Sequence, residues 1–190
     1  VITGVATARD GVDIHYEAMG SGSPTLLFIH GWNCDRRYWS DQLAYFADKH
    51  QVVAIDLAGH GESGLQRTAW TISQFGADVA SVADQLALDD VILVGHSMGG
   101  PVALEAARQL KGRVKMMIGA DTLNDVSITF PEAQLNGMLA AMKTDFRGTV
   151  EGLVRSSFFL ADSDPDLIDR IATDMGSAPP EAGIGAFKAY

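Results

Sequence analysis

Val91-Ile92-Leu93-Val94-Gly95-His96-Ser97-Met98-Gly99-Gly100 is the stretch that decides the fold. An apolar run at 91–94 leads into Gly95-His96-Ser97-Met98-Gly99, and a helix-compatible segment follows at 101–110. A serine on a sharp strand-to-helix turn has strained backbone angles, and glycines beside it remove the side chains that would clash. The turn lifts the hydroxyl out of the sheet edge. It also sets the serine at a helix N-terminus, where free N–H groups and the helix dipole stabilise developing negative charge. Strand before, helix after and the extra Gly100 are the context that a Gly-x-Ser-x-Gly motif needs, so Ser97 is the candidate nucleophile, with Gly95 and Gly99 in support.

Two further motifs lie upstream, each directly after a short apolar run. His30-Gly31-Trp32 follows 25–29, and Asp56-Leu57-Ala58-Gly59-His60-Gly61-Glu62-Ser63 follows 51–55. Continuously apolar runs of this length fit strands buried on both faces, and 114–118 is another. Helical periodicity falls between them. Trp39, Leu43 and Phe46 form one stripe; Ile72, Phe75, Val79, Val82 and Leu86 form a longer one, opened by the capping box Thr71-Ile72-Ser73-Gln74. Alternation of this kind predicts an α/β fold with a mostly parallel sheet flanked by helices.

The three motifs, in this order and spacing, resemble the α/β-hydrolase superfamily, and the resemblance covers essentially the whole chain. Gly-His-Ser-Met-Gly-Gly is similar to the elbow of carboxylesterases, lactonases and cofactor-free haloperoxidase-like members. The resemblance implies an oxyanion hole made by the backbone N–H groups of Trp32 and Met98, with His30, Gly31 and His96 supporting it. It implies a serine ester hydrolase acting on a small to medium apolar ester through an acyl-enzyme. A lactonase, C–C hydrolase or haloperoxidase-like activity is the alternative on the same fold. A non-catalytic fragment that binds an apolar ligand or a partner chain is the alternative of another class. Trp32 reads equally as a wall of the acyl pocket and as a core tryptophan. His60 reads as a hydrogen-bonded loop histidine rather than a base, and Cys34 as a small packed residue.

The family's triad runs Ser, Asp or Glu, then His along the chain. All five histidines (His15, His30, His50, His60 and His96) precede Ser97. Asp121 is the candidate acid, with structural support beneath the site as its other reading. The protein is therefore expected to continue about 70 to 90 residues beyond Tyr190. The competing explanation is a partner chain or homo-oligomer covering the apolar edge strand at 114–118.

From about Asn124 the pattern turns all-helical, which predicts a core at 1–123 and a helical cap at 124–190, incomplete at its end. The capping box Thr129-Phe130-Pro131-Glu132 opens the first cap helix. Val150, Leu153, Val154 and Phe158 mark the second, Asp164-Pro165 opens a third stopped by Gly176, and a fourth starts near Pro179.

Composition narrows the rest. The 190 residues are 47% hydrophobic and 20% charged, with a net charge of −10, which argues against a nucleic-acid partner. Arg36-Arg37 is the one compact basic spot. No apolar run reaches the roughly 18 residues of a membrane span. No metal-ligand spacing or phosphate-cradling glycine loop occurs, so no metal or organic cofactor is expected. The opening at Val1, with neither methionine nor a signal-like segment, points to an upstream piece that was removed or lies outside this sequence. A soluble, cytoplasmic rather than secreted protein is expected, with the compartment left open.

Overall fold

The computed structural model describes residues 1–124 and 131–189. The chain runs β1 (Ile2–Thr7), β2 (Asp13–Met19), β3 (Thr25–Ile29), a 3₁₀ turn (Arg36–Trp39), α1 (Ser40–Phe46), β4 (Val52–Ile55), α2 (Ile72–Gln85), β5 (Val91–His96), α3 (Gly99–Leu110) and β6 (Val114–Ala120). Four helices follow with no strand between them among the described residues: α4 (Glu132–Thr144), α5 (Phe146–Ser157), α6 (Pro165–Gly176) and α7 (Pro180–Ala189). The six strands form one sheet in the order β1-β2-β4-β3-β5-β6. β1 and β2 pair antiparallel, as do β2 and β4; β4, β3, β5 and β6 are parallel.

The apolar runs become the central strands because helices cover both faces. Leu27, Ile29, Val53 and Ile55 join Phe75, Val79 and Val82 of α2 and Val102 and Ala106 of α3 in one cluster. Leu26, Phe28, Val52 and Ala54 turn the other way and pack on Leu43 of α1, with Trp39 and Phe46 beside them. Register places Ile29 opposite both Ile55 and Gly95, so the loops after β3, β4 and β5 leave the same end of the sheet. In open parallel sheets that end is where ligands bind.

Thr71 caps α2 by accepting a hydrogen bond from the Gln74 N–H, as its spacing predicts. Elsewhere the boundaries differ. α4 begins at Glu132 with Pro131 at its N-cap, whereas Thr129 and Phe130 of the expected capping box lie outside the described residues. α6 runs through Gly176 instead of being stopped by it, because Ser177 closes the last turn with its N–H on the Thr173 and Asp174 carbonyls. Met142, Phe146, Val150, Val154, Ala172, Met175 and Ala182 belong to the same buried cluster as the sheet core, so α4–α7 rest on it directly. β6 is the outer strand on the parallel side, and its Met116 and Ile118 are 55% and 46% exposed.

A buried ion network ties the antiparallel edge to the helices. The Arg67 guanidinium donates to both oxygens of Asp78 on α2, at 2.6 and 3.0 Å, and to Asp10 in the β1–β2 turn at 2.7 Å. Asp78 also accepts the Ala58 N–H at 3.2 Å. Removing one partner of a buried pair strands the other charge. Asp78→Ala is expected to lower stability by about 3 kcal/mol in urea unfolding. A loss no larger than that of a surface substitution would show that Asp10 alone satisfies Arg67.

Candidate active site

Ser97 occupies the turn between β5 and α3 with φ of +50°, a left-handed conformation that non-glycine residues rarely adopt. Three contacts hold it there. Its N–H donates to the Ala120 carbonyl at 3.1 Å, and its carbonyl accepts from the Thr122 hydroxyl at 2.6 Å and from the Gly100 N–H at 2.9 Å. The turn is tight enough that a Cβ on Gly95 would run into the Gly99 backbone, and one on Gly99 would lie 2.8 Å from the His30 carbonyl.

The loop after β3 lies against this turn. A Cβ on Gly31 would sit 2.9 Å from His96 Nδ1 and 3.2 Å from Ser97 Cβ, so only glycine lets the two loops approach. His30 is buried and braces the loop. Its Nε2 accepts the Leu57 N–H at 3.0 Å, which puts the proton on Nδ1, and Nδ1 donates to the Gly31 carbonyl at 2.7 Å. Asn33 takes φ of +55°, and the Cys34 N–H closes the turn on the Gly31 carbonyl at 3.2 Å. Among the described residues the N–H groups of Trp32 and Met98 donate to no protein acceptor.

Ser97, Trp32, His96 and Asp121 all line a cleft of about 700 Å³, whose opposite wall comes from α4–α7, with Met138, Leu153, Phe158 and Phe187 among its residues. Trp32 is packed in the interior and also lines the cleft. It is only 6% exposed, its indole N–H donates to the Gly183 carbonyl of α7 at 2.8 Å, and its ring lies 5.2 Å from Phe187 while facing the cleft. Asp121 directly follows β6 with φ of +46° and accepts from the Asn124 amide at 3.2 Å. It is exposed at the cleft rather than packed beneath the site. His96 makes no hydrogen bond to Ser97 among the described residues. Burial lowers its pKa, and the Asp121 charge opposes that.

The Asp56 turn lies alongside as a bracing element. The Asp56 carboxylate accepts the Arg36 N–H at 2.7 Å, the Glu62 N–H at 2.9 Å and the Arg36 guanidinium, while the Ser63 hydroxyl donates to the Asp56 carbonyl at 2.7 Å. Arg36 also pairs with Glu62, and Arg37 with Asp35 and Asp174. The basic spot seen in the sequence is thus committed to internal ion pairs. Burial raises the Cys34 thiol to about 12, so it is inert at neutral pH. Among the described residues no three His, Cys, Asp or Glu side chains converge as metal ligands, and no helix is long and apolar enough to cross a membrane. Sequence reasoning missed Thr122, the hydroxyl that holds the Ser97 carbonyl, and Tyr38, which lines the cleft. Neither carries a local signal.

His60 donates from Nδ1 to the Ala58 carbonyl at 3.0 Å and lies 5.0 Å from His30, ring to ring. Burial pushes His30 down to about 4, and burial together with His30 pushes His60 down to about 3. Below pH 6.5 the unfolded imidazoles take up protons and the folded ones do not. Stability is therefore complete above pH 6.5 and falls as pH drops towards 4. The urea midpoint is expected to decline from pH 6.5 to 5, with a shallower slope in His60→Gln. A flat profile would mean that both rings protonate in the fold.

The model of the α/β hydrolase fold matches residues 24–164. The chain is 41% identical over 118 residues to a non-heme haloperoxidase of Rhodococcus erythropolis, covering 60% of this chain and 43% of that protein. It is 32% identical over 161 residues to the non-heme chloroperoxidase CPO-A1 of Kitasatospora aureofaciens, covering 78% and 58%. An esterase from Exiguobacterium antarcticum superposes with a TM-score of 0.88 at 22% identity, over 99% of this chain and 73% of that one. The chain spans 28% to 58% of the length of the first three curated relatives it matches. With the family model matched over most of its length and the sheet, turn and cleft in place, this chain belongs to the α/β-hydrolase fold family.

Proposed function

We propose that Ser97 is the nucleophile of a serine ester hydrolase whose cleft takes a small to medium apolar ester. The observation that carries this reading is the left-handed Ser97 turn opening on an apolar cleft that Trp32 also lines, with the Trp32 and Met98 N–H groups donating to no protein acceptor among the described residues. Ser97 Oγ attacks the ester carbonyl, and the resulting oxyanion takes hydrogen bonds from those two N–H groups, each worth about 3 kcal/mol in the transition state. The alcohol leaves with a proton, and water then releases the acid from the acyl-enzyme.

The step needs a base to accept the serine proton. His30 and His60 are engaged with backbone groups and held neutral by burial. His50 bonds the Pro24 carbonyl, and His15 faces Glu62. His96 lines the cleft but makes no hydrogen bond to Ser97 among the described residues, so this reading takes its base from a histidine outside these 190 residues, with Asp121 the candidate acid to orient it. The helices α4–α7 act as a cap over residues 1–123 and shape the acyl and alcohol sites. The names of the two haloperoxidase relatives favour a second reading, halogenation with peroxide through the same serine.

Treatment with a fluorophosphonate is expected to place a single adduct on Ser97, seen by intact mass. Ser97→Ala should abolish the adduct and lower kcat by about 10³-fold or more with the circular dichroism unchanged. Undiminished ester turnover in that variant would remove Ser97 from the mechanism. A panel of esters, lactones and halide with peroxide separates the readings by kcat/KM. If Asp121 is the acid, Asp121→Asn lowers kcat by about 10³-fold or more; unchanged turnover would leave it a rim residue.

A further inference from the structure

The Met98 N–H belongs to a planar peptide unit whose other end is the Ser97 carbonyl. In a trans peptide the N–H and C=O point in opposite directions, so whatever holds the carbonyl also aims the N–H. The Ser97 carbonyl is held twice, by the Gly100 N–H at 2.9 Å and by the Thr122 hydroxyl at 2.6 Å. A carbonyl oxygen only accepts, so the hydroxyl is the donor.

The second bond fills a gap that the sequence creates. In an α-helix a carbonyl accepts from the N–H four residues on. Four residues after Ser97 stands Pro101, in the first turn of α3, and proline has no N–H to give. Gly100 alone secures the 97–98 peptide from the helix side, and Thr122 supplies the donor that Pro101 lacks. Thr122 is itself seated in a notch. A Cβ on Gly100 would lie 2.5 Å from its Cγ2, and one on Gly119 would lie 2.9 Å from the same atom, so a glycine of α3 and a glycine of β6 make room for its side chain. The Ser97 N–H donates to the Ala120 carbonyl at 3.1 Å. Residues 120–122 therefore grip the backbone on both sides of the Ser97 Cα.

The Trp32 peptide has the same construction. Its carbonyl half is Gly31, which accepts from His30 Nδ1 at 2.7 Å and from the Cys34 N–H at 3.2 Å. Each of the two N–H groups thus lies on a peptide whose carbonyl takes one side-chain donor and one backbone donor. Donors fixed before charge develops are what stabilise an oxyanion, because no reorganisation is left to be done as it forms. On the Met98 side the fixing side chain is Thr122.

We infer that Thr122 is a positioning residue for ester hydrolysis, whose hydroxyl fixes the Ser97–Met98 peptide plane and so aims the Met98 N–H at the oxyanion. Its bond goes to the Ser97 carbonyl, so it acts through the peptide. The same bond polarises that peptide and makes the N–H at its far end a stronger donor. The inference rests on the ester-hydrolase reading of Ser97.

The test compares three variants of the full-length protein on p-nitrophenyl butyrate. Thr122→Val removes the hydroxyl and keeps the shape that fills the notch. Thr122→Ala removes the hydroxyl and leaves the notch part empty, and it carries the test if valine does not seat there. Thr122→Ser keeps the hydroxyl. The two variants without a hydroxyl are each expected to lower kcat about tenfold, a share of the roughly 10²- to 10³-fold lost when such a donor is removed outright. KM is expected to change less than about twofold, and fluorophosphonate labelling of Ser97 to slow by the same factor as kcat. Thr122→Ser should recover most of the loss. In Thr122→Val the Met98 amide ¹⁵N signal is expected to move upfield, as for a peptide whose carbonyl has lost a hydrogen bond. Unchanged kcat in both hydroxyl-free variants would overturn the positioning role. So would a loss in Thr122→Ser equal to that in Thr122→Val, because it would follow the methyl group and not the hydroxyl. Failure of the ester-hydrolase reading itself would look different: Ser97→Ala would keep its turnover.

Discussion

The backbone of Ser97 is the constraint on which the rest of the molecule depends. A left-handed serine persists only where its surroundings over-determine it. Here the surroundings are Ala120 at the end of β6 and Thr122 just beyond it, the Gly99–Gly100 start of α3, and the Gly31 loop after β3. Each of these exists because parallel strands end in register and send their loops to one side. The strained residue is thus held by three segments far apart in sequence, and weakening any of them relaxes it. This explains why small residues crowd the turn: close approach of backbones leaves no room for Cβ atoms, and it is that approach which delivers the hydrogen bonds.

Much of this was legible in short patterns. Thr25–Ile29 and Val52–Ile55 are apolar on both faces, and such runs announce a covered parallel sheet without reference to anything distant. The Thr71 cap and the Asp164-Pro165 helix start are equally local. β1 is different. Ile-Thr-Gly-Val-Ala-Thr is mostly exposed and small, so its strand character comes from pairing with β2 and leaves little apolar signature. The same limit applies to Arg67 and Asp78, eleven residues apart, which meet only because α2 packs where it does. A buried charge pair has no spacing rule.

For the site the division is similar. Ser97 was legible because the tight turn imposes glycines on either side of it, and Trp32 because it follows Gly31, where the close approach of the two loops excludes a Cβ. Thr122 was not, since any residue with a well-placed hydroxyl looks like any other loop threonine. Asp121 was singled out as a candidate by its place at the end of an apolar run, but the run could not say whether the carboxylate faced the cleft or the underside. Its left-handed backbone turns it to the cleft rim.

The grip of Trp32 on Gly183 has a consequence for how such a protein diversifies. α4 can change at little cost to the packing: of its residues only Met142 is fully buried. α7 cannot. Its Gly183 accepts the indole hydrogen bond while making room for Phe146 and Asn33, so a side chain there pushes on the loop beside Ser97. The two helices therefore differ in tolerance: the exposed face of α4 can accept substitutions that the Gly183 turn of α7 cannot.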